Sequence, residues 1–156
     1  MAERTLTAFS FSKSHGLAGL RVGYLAGPPP VIDAVRKLSN HSVFNVPRAA
    51  QQAALAALGA DLAPARALYQ AARDVVQARL SVPFVPAEGG AYVFCDLRAA
   101  GDDALERLAA RGVLLAPGEA FGEAYRGWAR LCFTATEREK LERGLAVMAD
   151  TLRPSP

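Results

Sequence analysis

The chain has 156 residues, 51% hydrophobic and 21% charged, with a formal net charge of +3 and a pI near 9.1. That length suits a domain able to bury roughly 70% of its unfolded surface, and the composition excludes a disordered tail. No apolar run approaches the ~18 residues of a membrane span, and Met1-Ala2-Glu3-Arg4-Thr5 lacks the cationic-then-apolar build of a signal peptide. A chain that does not cross a membrane, with a cytoplasmic address, is expected.

The positive charge comes mostly from arginine and is scattered. No window gathers a basic run interleaved with aromatic residues, so no nucleic-acid face is expected. Cys95 and Cys132 are too few for a disulfide framework and neither sits in a CxxC pair; both are expected as buried, inert thiols. His15 and His41 have no ligand-spaced partners, so no metal site is expected either. Lysine is scarce: Lys13, Lys37 and Lys140 make up the whole set.

In chain order, residues 5–11 are β-branched and aromatic enough for a strand, and residues 22–26 make a second. Between them lies a loop punctuated by Gly16 and Gly19. Pro28-Pro29-Pro30 opens a helix with Val31, Val35 and Leu38 on one face. Asn45-Val46-Pro47 starts an alanine-rich helix that stops near Gly59, and Asp61 is placed to cap a longer one reaching Leu80. Beyond Glu88-Gly89-Gly90, strands are predicted over 91–95, 113–116 and 129–133. Asp102 is the predicted cap of a helix closing at Gly112, and Thr136 with Glu139 forms a capping box for a last helix reaching Leu152.

Alternating strand and helix predicts an α/β fold, with a change of character near residues 60–80. The expected division is 1–60 and 61–156. Two strands and their helices are too few to bury both faces of a sheet, so the first block reads as a piece of something larger. Its strands leave apolar faces and open edges, which predicts an oligomer formed through residues 1–60.

The chemistry concentrates in Ser10-Phe11-Ser12-Lys13 and Arg21. A lysine at the end of a strand, among small residues and glycines, can be held in a partly dry place where its amine becomes nucleophilic toward an aldehyde. A hydroxyl three residues before it and a guanidinium eight after can grip one phosphate. The alternative is a solvated loop lysine with Arg21 paired to a surface acid; the joint spacing favours the first reading.

The run Ser10-Phe11-Ser12-Lys13-Ser14-His15-Gly16-Leu17-Ala18-Gly19-Leu20-Arg21-Val22-Gly23-Tyr24 closely resembles the cofactor-lysine segment of class I/II aminotransferases, fold-type I enzymes that use pyridoxal 5′-phosphate, with the histidinol-phosphate and aspartate aminotransferase groups nearest. Residues 88–94, 113–122 and 129–133 are similar to that family's small-domain segments. The resemblance implies that Lys13 carries the covalent bond to the cofactor, that Ser10 and Arg21 hold its phosphate, and that Arg130 clamps the substrate α-carboxylate. It implies an α/β small domain in 61–156, a remnant of the large cofactor-binding domain in 1–60, and an amino acid and a 2-oxo acid as substrates.

The family's glycine-rich phosphate turn, ring-stacking aromatic and pyridinium-binding aspartate are not found in these residues. The chain therefore resembles a C-terminal half, expected to be inactive or weakly active alone and to act with a complementary N-terminal half or as a homo-oligomer. The competing expectation is a non-catalytic, self-associating α/β domain that keeps the motif as ancestry.

Overall fold

A computed structural model describes residues 2–153. The chain divides between Leu62 and Ala63 into two compact units. No helix among the described residues is long and apolar enough to cross a membrane.

The first unit holds an antiparallel pair, β1 (Thr7–Ser10) and β2 (Gly23–Ala26), in which Thr7 faces Ala26 and Ser10 faces Gly23. The strand expected to run through Phe11 ends one residue earlier. The Ser10 hydroxyl accepts from the Ser12 N–H at 3.2 Å and caps a single helical turn, α1 (Phe11–Ser14). That turn swings Phe11 inward, where it is buried with Val22, Ala50 and Ala54, and Leu17 and Val46 pack against them.

Two helices complete this unit: α2 (Pro29–Ser42), with proline in its first turn, and α3 (Arg48–Ala57). The apolar stripe expected to bury α2 does not do so. Val35 is half-buried, but Val31 and Leu38 are exposed, and α2 contributes no buried residue.

The second unit is a four-stranded antiparallel sheet in the order β3-β4-β6-β5 with three helices. Its strands are β3 (Phe84–Val85), β4 (Tyr92–Asp96), β5 (Ala116–Pro117) and β6 (Trp128–Cys132). Its helices are α4 (Ala63–Arg79), α5 (Ala104–Ala110) and α6 (Arg138–Thr151). The strands expected over 91–95 and 129–133 appear displaced by one residue, and the one expected over 113–116 shrinks to Ala116–Pro117. Val113 instead donates its N–H to the Leu108 carbonyl, continuing the turn that closes α5. β3 has no counterpart in the sequence reading: two residues between prolines carry no period.

The core gathers Val75 and Val76 of α4, Val93 and Cys95 of β4, Leu108 of α5, Ala129 and Leu131 of β6, Phe133, and Leu141, Leu145 and Met148 of α6. Two predicted caps fall elsewhere. The residue before α5 is Asp103, not Asp102, and Arg107 draws its carboxylate away at 3.1 Å. The residue before α6 is Glu137, one position past Thr136, which breaks the spacing that the capping box requires. Arginines tie the helices together instead. Arg107 donates to the Thr151 carbonyl at 2.8 Å, and Arg111 donates to Asp150 at 2.7 Å and to the Thr151 hydroxyl at 2.9 Å. Glu142 bridges Arg138 of its own helix and Arg79 of α4.

Phe133 is 1% exposed at the centre of this core. Phe133→Ala is expected to cost about 3–5 kcal/mol of stability, whereas Leu38→Ala, at a site 68% exposed, is expected to change it by no more than about 0.5 kcal/mol; urea titrations measure both. The Arg138 guanidinium first, and Arg79 after it, hold the Glu142 carboxyl below its ordinary value. Because its folded value is depressed, its contribution is present above the unfolded value of about pH 4.3 and is lost as pH falls from there through the lower folded value. Glu142→Gln should flatten this part of a stability–pH profile.

Candidate functional site

The lysine loop grows from the end of β1. Gly23 lets the two strands approach, since a Cβ there would lie 2.5 Å from the Phe9 carbonyl oxygen. Phe9 and Tyr24, opposite one another, stack with ring centroids 4.6 Å apart. Ser10 thus ends a fixed strand, and Lys13 follows in the single turn that Ser10 caps. Ser14 donates to or accepts from His15 Nδ1 at 2.8 Å, and the His15 ring lies 5.0 Å from Phe11, a packing position for the imidazole.

Arg21 closes the loop in the left-handed region, at φ 54°, where a non-glycine residue is uncommon. Its Nη1 donates to the Ala18 carbonyl at 3.1 Å, so the guanidinium folds over the 3₁₀ turn Ala18–Leu20 with most of its five donors still available. Ser10, Lys13 and Arg21 are all exposed. Within this unit alone, a two-stranded sheet has no flanking strands to cover the lysine. Amine, hydroxyl and guanidinium on one strand–loop–strand segment nevertheless form a donor set that fits an anionic phosphate and an aldehyde, so the residues present fit pyridoxal 5′-phosphate.

The fourth predicted residue, Arg130, belongs to the other unit. It sits in β6 opposite Phe94 of β4. The β alternation sends Val93, Cys95, Ala129 and Leu131 into the core and leaves Tyr92, Phe94, Trp128 and Arg130 on the other face. The Arg130 guanidinium lies 4.3 Å from the Tyr92 ring centroid and 4.9 Å from that of Phe121. Its Nε is buried and has no hydrogen-bond partner. A buried donor without an acceptor is costly, and a carboxylate received by the arginine fork supplies one.

The sequence reading names Arg130 but not the rings that seat it. The available signal was the alternation of Tyr92, Phe94 and Asp96 against Val93, Cys95 and Leu97. The two thiols also part company. Cys95 is fully buried, and burial pushes its thiol up to about 12. Cys132 lies on the Arg130 face, only half-buried, with Sγ 3.7 Å from the Thr134 hydroxyl.

The sequence matches the family described as aminotransferase class I and II over residues 1–148. It is 38% identical to an aspartate aminotransferase of Thermotoga maritima over 156 aligned residues, covering 96% of this chain and 40% of the relative. It is 30% identical to an aromatic-amino-acid aminotransferase of Thermococcus litoralis, covering 98% of this chain and 42% of the relative. The solved structure of aspartate aminotransferase from Thermus thermophilus with maleate superposes with a TM-score of 0.87 at 33% identity, covering 96% of this chain and 42% of that one. The chain thus spans about two-fifths of the length of the curated relatives it matches. Its α/β fold corresponds to that part of the fold-type I aminotransferases, and the chain belongs to the class I and II aminotransferase family.

Proposed function

We propose that this chain is the C-terminal part of a pyridoxal 5′-phosphate-dependent aminotransferase that moves an amino group between an L-amino acid and a 2-oxo acid. Residues 1–60 are read as the remnant of the cofactor domain, and 61–156 as the linking helix with the small domain. The observation that carries the reading is the Ser10–Lys13–Arg21 set on the β1–β2 connection of a chain belonging to this family.

In this reading Lys13 supplies the amine that bonds the cofactor and afterwards holds and returns a proton at its Nζ. Ser10 Oγ and the Arg21 guanidinium bind the phosphate and fix its orientation. Arg130 receives the substrate α-carboxylate, and the rings of Tyr92 and Phe121 hold its guanidinium away from bulk water. The cofactor, when bound, supplies the electron sink for breaking the bond at the amino acid's α-carbon.

These residues form only part of such a site, and the first unit lacks cover. Phe44 is 82% exposed, Val43 69% and Leu38 68%, apolar surface of the kind a partner covers. We infer a complementary chain bearing the rest of the enzyme, or a second copy of this one, as the cover; the chain alone is then inactive or weakly active. The same exposure favours the competing reading, a self-associating domain without catalysis. The reducing cytoplasm suits the two free thiols.

Incubation with pyridoxal 5′-phosphate, borohydride reduction and peptide mapping distinguishes the readings. Label concentrated on Lys13 and lowered about tenfold by Arg21→Ala supports the cofactor role. Even labelling of Lys13, Lys37 and Lys140 rejects it. Transamination by the chain alone is expected to be absent or very slow, and full-rate turnover would contradict the need for a complementary part. Light scattering at micromolar concentration should show an oligomer; a clean monomer would remove self-association through the first unit.

A further inference from the structure

The ladder between β5 and β6 pairs Ala116 with Arg130 and Pro117 with Ala129, and goes no further. Leu114 and Leu115, which lead into β5, do not take up Leu131 and Cys132 as partners. These segments instead border, with α6, a cavity of about 540 Å³. That volume falls within the range of about 300–1,000 Å³ found for small-molecule sites. The lining changes character across it. Leu131, Leu141, Leu145 and Met148 line it from the buried core, and Arg111, Lys140 and Arg143 line it from exposed positions.

We propose that this cavity binds amphipathic anions of the medium-chain carboxylate class, the alkyl chain lying against the core side chains and the carboxylate on Lys140 and Arg143. Charge supports this first. Among the described residues three cations and no carboxylate line the cavity. Arg111 is committed to Asp150 and the Thr151 hydroxyl. Among the described residues Lys140 and Arg143 have no ion-pair partner. They stand three residues apart on α6, neighbours on the helix surface, so one carboxylate can engage both. Exposed cations hold a bare anion weakly, and burial of an alkyl chain supplies the rest of the affinity.

The second support is Gly144. A helix interior favours almost any residue over glycine, yet Gly144 stands within α6 and lines the cavity. A Cβ there would meet no atom within 4 Å. The helix thus leaves room beside the two cations that a larger side chain would occupy.

The chain has two methionines, Met1 and Met148, so isotope labelling of methionine methyl groups in the full chain places one signal in the cavity wall, assigned by its loss in Met148→Leu. The probes are octanoate, butanoate, the neutral 1-octanol and an alternating glutamate–valine hexapeptide. A saturable shift of the Met148 signal is expected with octanoate, at an affinity about tenfold or more above those of butanoate and 1-octanol. Gly144→Leu, which fills the open space, should weaken octanoate at least about tenfold. Lys140→Gln combined with Arg143→Gln should bring octanoate to the affinity of 1-octanol and carries the test where the leucine variant does not fold. Equal affinities for octanoate and butanoate, or for octanoate and 1-octanol in the unaltered chain, overturn the proposal, as does unchanged octanoate binding in a folded Gly144→Leu. A response to the hexapeptide alone also overturns it and makes the cavity a docking groove for a protein segment. The site involves neither Lys13 nor Arg130, so its failure leaves the aminotransferase reading intact.

Discussion

The ladder between β4 and β6 decides what each residue of the second unit can be. Tyr92 faces Cys132, Phe94 faces Arg130 and Asp96 faces Trp128, and because side chains alternate with a period of two, this register assigns every residue to one of two faces. Val93, Cys95, Ala129 and Leu131 enter the core, while the ring cluster and Arg130 emerge on the other side. A slip of one residue would bury a guanidinium among leucines and expose the core. The core's demand for apolar side chains at alternate positions therefore holds Arg130 in place as firmly as any direct contact does. The two cysteines show the same constraint: one position of the ladder makes Cys95 a core thiol, and the other leaves Cys132 on the face that carries Arg130.

Much of this was legible in the sequence because period and punctuation carry it. The strands around Val93 and Leu131 and the face of the last helix from Leu141 to Met148 rest on runs long enough for periodicity to speak. Where the reading failed, competition among short-range interactions decided. Ser10 has the composition of a strand residue and the chemistry of a cap, and the cap won, ending β1 before Phe11. Thr136 and Glu139 have the spacing of a capping box, but α6 begins at Arg138 and leaves both out of position. Asp103 stands where a cap belongs and is drawn away by Arg107. Hydrogen-bond contests of this kind turn on about a kilocalorie per mole, below what residue types alone can rank.

The candidate site rests on a different kind of signal. Lys13, Ser10 and Arg21 were read from spacing and resemblance, and no periodicity would have found them. What spacing could not convey is environment. Within the first unit alone Ser10, Lys13 and Arg21 all lie exposed. Dryness belongs to the layers around a residue, and a two-stranded antiparallel pair with a core of Phe11, Val22, Ala50 and Ala54 cannot supply them. Arg130 shows the opposite: its surroundings lie within one unit and are complete enough to bury its Nε.

That contrast separates two tasks that an aminotransferase joins. Recognising a carboxylate requires a fixed guanidinium and a surface that excludes water, and one sheet face with its own core behind it supplies both. Activating an amine toward an aldehyde requires a low-dielectric setting around the lysine, and that depends on elements beyond the 62 residues of the first unit. Under the proposed reading, a chain spanning about two-fifths of its relatives' length carries recognition in its self-supporting part and chemistry in its dependent part. Under the proposed reading, recognition of the acid outlasts turnover when the chain stands alone. The physical reason is the difference in what each function must bury: a single guanidinium beside two rings in one case, an entire cofactor in the other.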